Sequence, residues 1–93
     1  MTAIEQENLE YLQEMCNVMN MKESEAGLSL FSEVDLSLFY EFMGGVGLES
    51  EVLSCANHKL VAKVGSSTYV VEYIITPDGT RYEWQSRLAI TWP

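Results

Sequence analysis

The chain has 93 residues, 47% of them hydrophobic, and its 14 acidic and five basic side chains give a formal net charge of −9. This length predicts a single domain spanning 1–93, and the apolar fraction argues against intrinsic disorder. The negative charge argues against nucleic acid and anionic membranes as direct partners and favours the basic surface of another protein.

Negative charge is concentrated in the N-terminal half of the chain. Eleven acidic residues and one base, Lys22, lie in the first 51 residues, whereas three acidic and four basic residues follow them. We therefore expect one end of the fold to be a source of negative potential, which attracts basic protein surfaces.

The sequence indicates a cytoplasmic protein. The N-terminus has no basic region followed by an apolar run, as a secretory signal would, and no stretch approaches the ~20 apolar residues of a membrane span. Cys16 and Cys55 form no C-x-x-C pair. A single disulfide stays open, but two reduced and buried thiols are the favoured interpretation.

The first predicted element is an amphipathic helix from about Ala3 to Met21. Thr2 and Glu5 have the spacing of a capping box. Apolar residues recur at helical spacing along one face, namely Ile4, Tyr11, Leu12, Met15, Val18 and Met19. The opposite side carries Glu7, Glu10 and Glu14. Residues 22–27 are then predicted to be a polar linker that ends in a glycine.

Residues 32–43 fit two structures. Acidic residues at the start, Gly44-Gly45 at the end, and Val34, Leu38 and Phe42 on one face predict a short helix. The same stretch also alternates as a strand would, with apolar residues at every even position from 34 to 42. We favour the helix because both ends carry capping signals, and the strand remains the alternative.

From residue 51 onward the pattern has a period of two and predicts an antiparallel meander of three or four strands, at 51–56, 59–64, 68–76 and 80–92. Thr76-Pro77-Asp78-Gly79 predicts a hairpin turn, with glycine at positive φ. A three-residue loop would place Tyr73 opposite Glu83, and a four-residue loop would place it opposite Tyr82. The predicted fold class is α+β, with the helices packed on one face of this sheet.

No catalytic residue, metal site or cofactor site is predicted, so we expect a protein that is not an enzyme. His58 is the single histidine, and with the two cysteines it makes three ligands, whereas structural zinc sites have four. The acid pairs Glu23/Glu25 and Glu49/Glu51 lie in polar connecting segments, where nothing would shift their pKa. The chain contains neither a P-loop nor a G-x-S-x-G turn.

The leading hypothesis is an inhibitor that binds a basic, nucleic-acid-handling protein with carboxylates in place of phosphates. Helical spacing makes Glu7, Glu10 and Glu14 a fixed row, which four further acidic residues could extend: Glu23, Glu25, Glu33 and Asp35. A short, acidic and aromatic-rich chain is typical of inhibitors from phages and mobile elements, including anti-CRISPR and anti-restriction proteins. An immunity protein against a nuclease toxin would share these electrostatics.

The second hypothesis is a secretion-type chaperone or assembly subunit that binds through apolar contacts. The predicted strand 68–76 is apolar on both sides, so one side would cover the helices and the other could present an aromatic interface of Tyr69, Tyr73 and Tyr82. A partner segment or a second copy would bind there or at the edge of the last strand. Monomer and homodimer both remain open.

Overall fold

The computed structural model describes residues 2–26, 36–45, 47–56 and 58–89, with the backbone alone at 23–26. Helices α1 (Ala3–Ala26) and α2 (Leu36–Gly45) precede strands β1 (Ser50–Ala56), β2 (Lys59–Val64), β3 (Ser67–Ile75) and β4 (Tyr82–Leu88). The four strands form one antiparallel sheet in the order β1-β2-β3-β4. The α+β meander predicted from the sequence is confirmed.

The predicted capping box starts α1. The Thr2 amide donates to Glu5 Oε1 at 2.8 Å, and the Glu5 amide donates to Thr2 Oγ1 at 3.1 Å. The helix extends to Ala26, so the predicted linker at 22–27 was wrong for residues 22–26, and Gly27 lies outside the described residues. Lysine, glutamate and alanine are good helix formers, and neither glycine nor proline precedes Gly27.

The buried side of α1 follows the predicted apolar seam except at its first turn. Leu12, Met15 and Met19 are at most 1% exposed. Ile4, predicted to lie on the same face, is 70% exposed because it sits beside the small residues of the β2–β3 turn, which do not cover it.

The two cysteines lie in different environments, and both are free. Cys16 is fully buried in α1, and burial raises the pKa of its thiol to about 12. Cys55 is exposed on β1, the outer strand at one side of the sheet. The expectation of two buried thiols was therefore right for Cys16 and wrong for Cys55.

The described residues 36–45 are helical, which confirms the favoured interpretation of this region. The buried side chains are Leu38, Phe39 and Met43, whereas Phe42 of the predicted face is half-buried. Val34, also predicted for that face, lies outside the described residues.

The end of α2 is a Schellman motif. Leu48 N donates to Met43 O at 2.9 Å, Gly47 N donates to Gly44 O at 3.1 Å, and Gly47 has φ of +70°. The left-handed glycine is therefore Gly47 and not the predicted pair Gly44-Gly45.

The hydrophobic core lies between the two helices and one face of the sheet. α1 packs across β3 and β4 and also contacts α2. The fully buried members with the largest side chains are Trp84, Tyr69, Phe39, Leu12, Met15, Met19, Met43, Leu60 and Val64. A core of this composition holds α1 in one orientation, with its remaining face directed outward.

The β3–β4 hairpin forms at the predicted turn but in neither predicted register. Gly79, at φ of +74°, donates its amide to Thr76 O at 2.8 Å. Thr76 N also donates to Arg81 O at 2.7 Å, so the loop is 77–80. The predicted four-residue loop was 76–79, which would have been closed by residues 75 and 80. Tyr73 consequently pairs with Trp84.

Asp78 in the β3–β4 turn should make the free energy of unfolding depend on pH. Hydrogen bonds from the Thr76 and Thr80 hydroxyls and from the Thr80 amide lower the pKa of Asp78 to about 2. A lowered folded-state pKa stabilises the fold above the unfolded value, near 3.8, and this contribution is lost as pH falls toward 2. Urea denaturation of wild type and Asp78→Asn should thus differ at pH 7 and converge near pH 2. An equal difference at both pH values would contradict this role.

Candidate protein-binding surfaces

The outward face of α1 carries Glu7, Glu10 and Glu14, here called the acidic row. All three side chains are exposed, as the helical spacing predicted. On a helix that rises 1.5 Å per residue, the first and last members lie about 10 Å apart along the axis. The helix fixes the spacing of the three Cα atoms, so the row presents its carboxylates along one line of the surface.

The acidic row has no cationic partner in residues 2–26, 36–45, 47–56 and 58–89. Both ion pairs within these ranges lie on the sheet side of the molecule, between Arg81 and Glu83 at 3.3 Å and between Arg87 and Glu72 at 2.8 Å. The remaining contacts of the row come from neutral groups of α1, such as Gln6 Nε2, which donates to Glu10 Oε1 at 3.5 Å. Within the part of the chain that the structure describes, no ion pair therefore compensates its negative charge.

Tyr11 reports the potential of this surface. Its hydroxyl donates to Glu7 Oε1 at 3.3 Å. The nearby Glu7 carboxylate is the main cause that raises the pKa of Tyr11, the hydrogen bond to Glu7 adds to it, and Glu14 and Glu10 contribute smaller effects. Negative neighbours disfavour a phenolate, which would add a further negative charge.

We expect an NMR pH titration to give Tyr11 a pKa above its ordinary value of 10.0. Glu7→Gln should lower it most among single substitutions in the row, and added salt should lower it further because the side chain is accessible to solvent. Asn17→Asp adds a negative charge elsewhere on the same helix and should raise the Tyr11 pKa. The size of that change is a reference for the effect of a single charge. A Tyr11 pKa at the ordinary value in wild type would contradict the assigned potential.

The structure describes the other predicted acidic residues only in part or not at all. Glu23 and Glu25 lie in the last turn of α1, where the structure describes the backbone alone, and Glu33 and Asp35 fall outside the described residues. Glu5, which the sequence suggested as a cap, also accepts from Ser67 Oγ at 2.9 Å. The Thr2 amide is the main cause that lowers the pKa of Glu5, and Ser67 adds to it, so the helix start is joined to the first residue of β3.

The three candidate interface tyrosines had been expected on the side of the sheet away from the helices. The structure places them on the helix-facing side instead. Tyr69 is 1% exposed in the core, and its hydroxyl accepts from Asn8 Nδ2 at 3.3 Å. Tyr73 is half-buried, and Tyr82 is 59% exposed. The structure therefore brings Tyr73 and Tyr82 together at the surface and leaves Tyr69 inside.

The surface tyrosines belong to a group of rings at one end of the sheet, here called the aromatic end. Tyr73 stacks on Tyr82 with a centroid distance of 5.4 Å and lies 5.2 Å from the buried Trp84. His58, at φ of +60° in the β1–β2 turn, lies 5.8 Å from Tyr73. The proximity of His58 to Tyr73 was not predicted. It depends on the antiparallel pairing of β2 with β3, which places the β1–β2 turn beside β3.

The opposite side of the sheet offers little apolar surface for a partner. Val61 and Val70, which pair across β2 and β3, are each 1% exposed although they lie apart from the helix-facing core. Charged residues flank them in the ladder, among them Lys63, Glu72 and Arg87. The predicted two-sided apolar character of β3 thus produces a second buried contact rather than an open apolar face.

Two amides of α1 make contacts that the sequence did not reveal. Asn20 Oδ1 accepts from Trp84 N at 2.6 Å, and Asn20 Nδ2 donates to Trp84 O at 3.1 Å. Gln13 Oε1 accepts from Ser86 N at 3.3 Å and from Ser86 Oγ at 3.1 Å. The available signal was their spacing of seven residues, which places both amides on one side of the helix.

Neither described helix is long and apolar enough to cross a membrane. Among the described residues, no three His, Cys, Asp or Glu side chains converge as metal ligands would. Comparison of the chain with protein-family models, with curated proteins and with solved structures finds no match.

Proposed function

We propose that this protein binds and inhibits a basic, nucleic-acid-handling protein, with the acidic row standing in for phosphates. The observation that carries the proposal is a line of three exposed glutamates along one helix, without a cationic partner among the described residues. Basic clefts that bind nucleic acid do so with Lys and Arg side chains, which pair equally well with carboxylates.

The fold supports this role by fixing where the charges lie. α1 is anchored near its start by Glu5, which accepts from Ser67 Oγ, and toward its end by Asn20, which binds the Trp84 backbone. A preorganised row loses less conformational freedom on binding than carboxylates on a loop would. Fixed charge on one side of a small protein also steers a basic partner toward that side before contact.

The proposed mechanism is competition. A partner whose cleft is occupied by α1 cannot bind nucleic acid in the same place, and no covalent chemistry is required. Inhibitors of the anti-CRISPR and anti-restriction type act in this manner, and an immunity protein for a nuclease toxin would present the same surface to its partner. The identity of the partner separates these cases.

The test is affinity capture from nuclease-treated host lysate, followed by elution in rising salt and identification of each fraction. A basic nucleic-acid-binding protein released at moderate salt supports the proposal, because exposed charge pairs are screened over about 8–10 Å at such ionic strength. Purified partner should then lose nucleic-acid binding when this protein is added. Capture that persists at high salt, or a partner that still binds nucleic acid, would refute phosphate mimicry.

The aromatic end favours a second candidate, an assembly or chaperone role based on apolar contacts. Tyr82 and Ile75 form a cross-strand pair and are 59% and 50% exposed, with Tyr73 stacked beside them. Exposed apolar groups of this kind are common at protein interfaces. Binding through them should barely change with salt and should weaken on Tyr82→Ala, whereas neutralising the acidic row should leave it intact.

A further inference from the structure

β4 is an outer strand, and two side chains of α1 occupy its free edge. Asn20 binds both the N–H and the C=O of Trp84, and Gln13 accepts from the Ser86 amide. These are backbone groups that a further strand would use, because β3 pairs with the other edge of β4. The helix thus satisfies the edge that would otherwise be a template for strand addition.

The covered edge is self-complementary. If a second copy of β4 paired antiparallel about Gln85, Trp84 would lie opposite Ser86, so the groups now held by α1 could bond to each other. The same register places Glu83 opposite Arg87 on both sides of the centre. Opposite charges facing each other across strands stabilise an antiparallel pair.

We propose that β4 is a concealed self-association edge, and that Gln13 and Asn20 keep the protein from pairing with a second copy of itself. β1, the outer strand on the other side, has a register irregularity between Val52 and Ser54, a feature that disfavours edge pairing. Association through β4 therefore stops at a twofold dimer and does not continue into a fibre.

The experiment replaces both amides, as Gln13→Ala with Asn20→Ala, and measures mass by light scattering over a wide concentration range. Wild type is expected at the 10.5 kDa of one chain, and the double variant at about twice that mass as concentration rises. Gln6→Ala, which removes an exposed amide from the same helix, is the matched control and should stay monomeric. A natively folded double variant that remains monomeric overturns the proposal.

Charge reversal tests the register. In the double-variant background, Glu83→Arg alone and Arg87→Glu alone should each weaken the dimer, because each places like charges opposite one another. Mixing the two charge variants should restore a heterodimer, in which every facing pair is again opposite in sign. Failure of the mixture to associate overturns the proposed pairing.

Two measurements apply if the double variant does not fold. Asn20→Ala alone removes both bonds from α1 to the Trp84 backbone, whose amide can then donate to the Ser86 carbonyl of a second copy, and it should give a weaker dimer. A folded Asn20→Ala variant that stays monomeric at all concentrations overturns the proposal. In hydrogen exchange of wild type, the Trp84 and Ser86 amides should be protected to the same degree as the amides that bond between β2 and β3. Rapid exchange at both positions would show that α1 does not cover the edge.

Discussion

Trp84→Ala is expected to reduce the free energy of unfolding by about 3–5 kcal/mol, as large truncations in a core do. The indole is fully buried, lies 5.2 Å from the Tyr73 ring, and fills the space between β4 and α1. Its removal leaves a cavity that α1 cannot close, because Asn20 holds the helix to the Trp84 backbone, which the substitution does not remove.

Chemical denaturation of the two proteins measures this difference. A domain of 93 residues has a total stability of about 5–15 kcal/mol, so the loss is a large part of it. The midpoint of thermal unfolding should fall by more than about 12 °C, given about 4–8 °C for each kcal/mol at this size. Tyr82→Ala, an aromatic truncation at a 59% exposed position of the same strand, should cost less than about 1.5 kcal/mol. Equal losses for the two variants would contradict the core assignment of Trp84.

Features that depend on neighbouring residues could be predicted from the sequence. The capping box joins two residues three positions apart, and the β3–β4 turn is built within Thr76–Gly79. Both are specified by side chains and backbone preferences that act over one turn of chain. The exposure of the acidic row followed in the same way from helical spacing along α1.

Features that depend on distant residues could not be predicted. Asn8, Gln13 and Asn20 are polar positions of an amphipathic helix, and their partners lie more than 60 residues away along the chain. Similarly, alternation along β3 separates two faces but does not say which one the helices cover. The burial of Tyr69 and the exposure of Tyr82 follow from where α1 crosses the sheet.

The β3–β4 hairpin shows why loop length alone was insufficient to predict the register of its strands. Both predicted registers assumed a particular closing pair, and the structure closes the loop with Thr76 and Arg81. Asp78 accepts hydrogen bonds from the threonines on either side of it, which stabilises the loop at 77–80. One residue of difference in the closing pair moves Trp84 opposite Tyr73 and so creates the aromatic end.

Replacement of the whole acidic row, as Glu7→Gln, Glu10→Gln and Glu14→Gln together, is expected to slow association with the basic partner about tenfold or more at low salt. Electrostatic steering raises association rates by about 10–10³. We expect it here from these three exposed carboxylates, whose backbone positions are fixed by α1. Glutamine has a similar helix propensity to glutamate, and Glu5 of the capping box is retained, so α1 should remain folded.

A charge-matched variant separates the row from the net charge of −9. Glu41, Glu49 and Glu51 are also exposed but lie outside α1, and their replacement by glutamine removes the same number of charges. Surface-based kinetics of both triple variants with the captured partner, at low and high salt, make the comparison. The row variant should bind several-fold more slowly than the matched variant, and the difference should vanish at high salt, where the charges are screened. Equal slowing in both variants would mean that net charge, and not a fixed line of carboxylates on α1, attracts the partner.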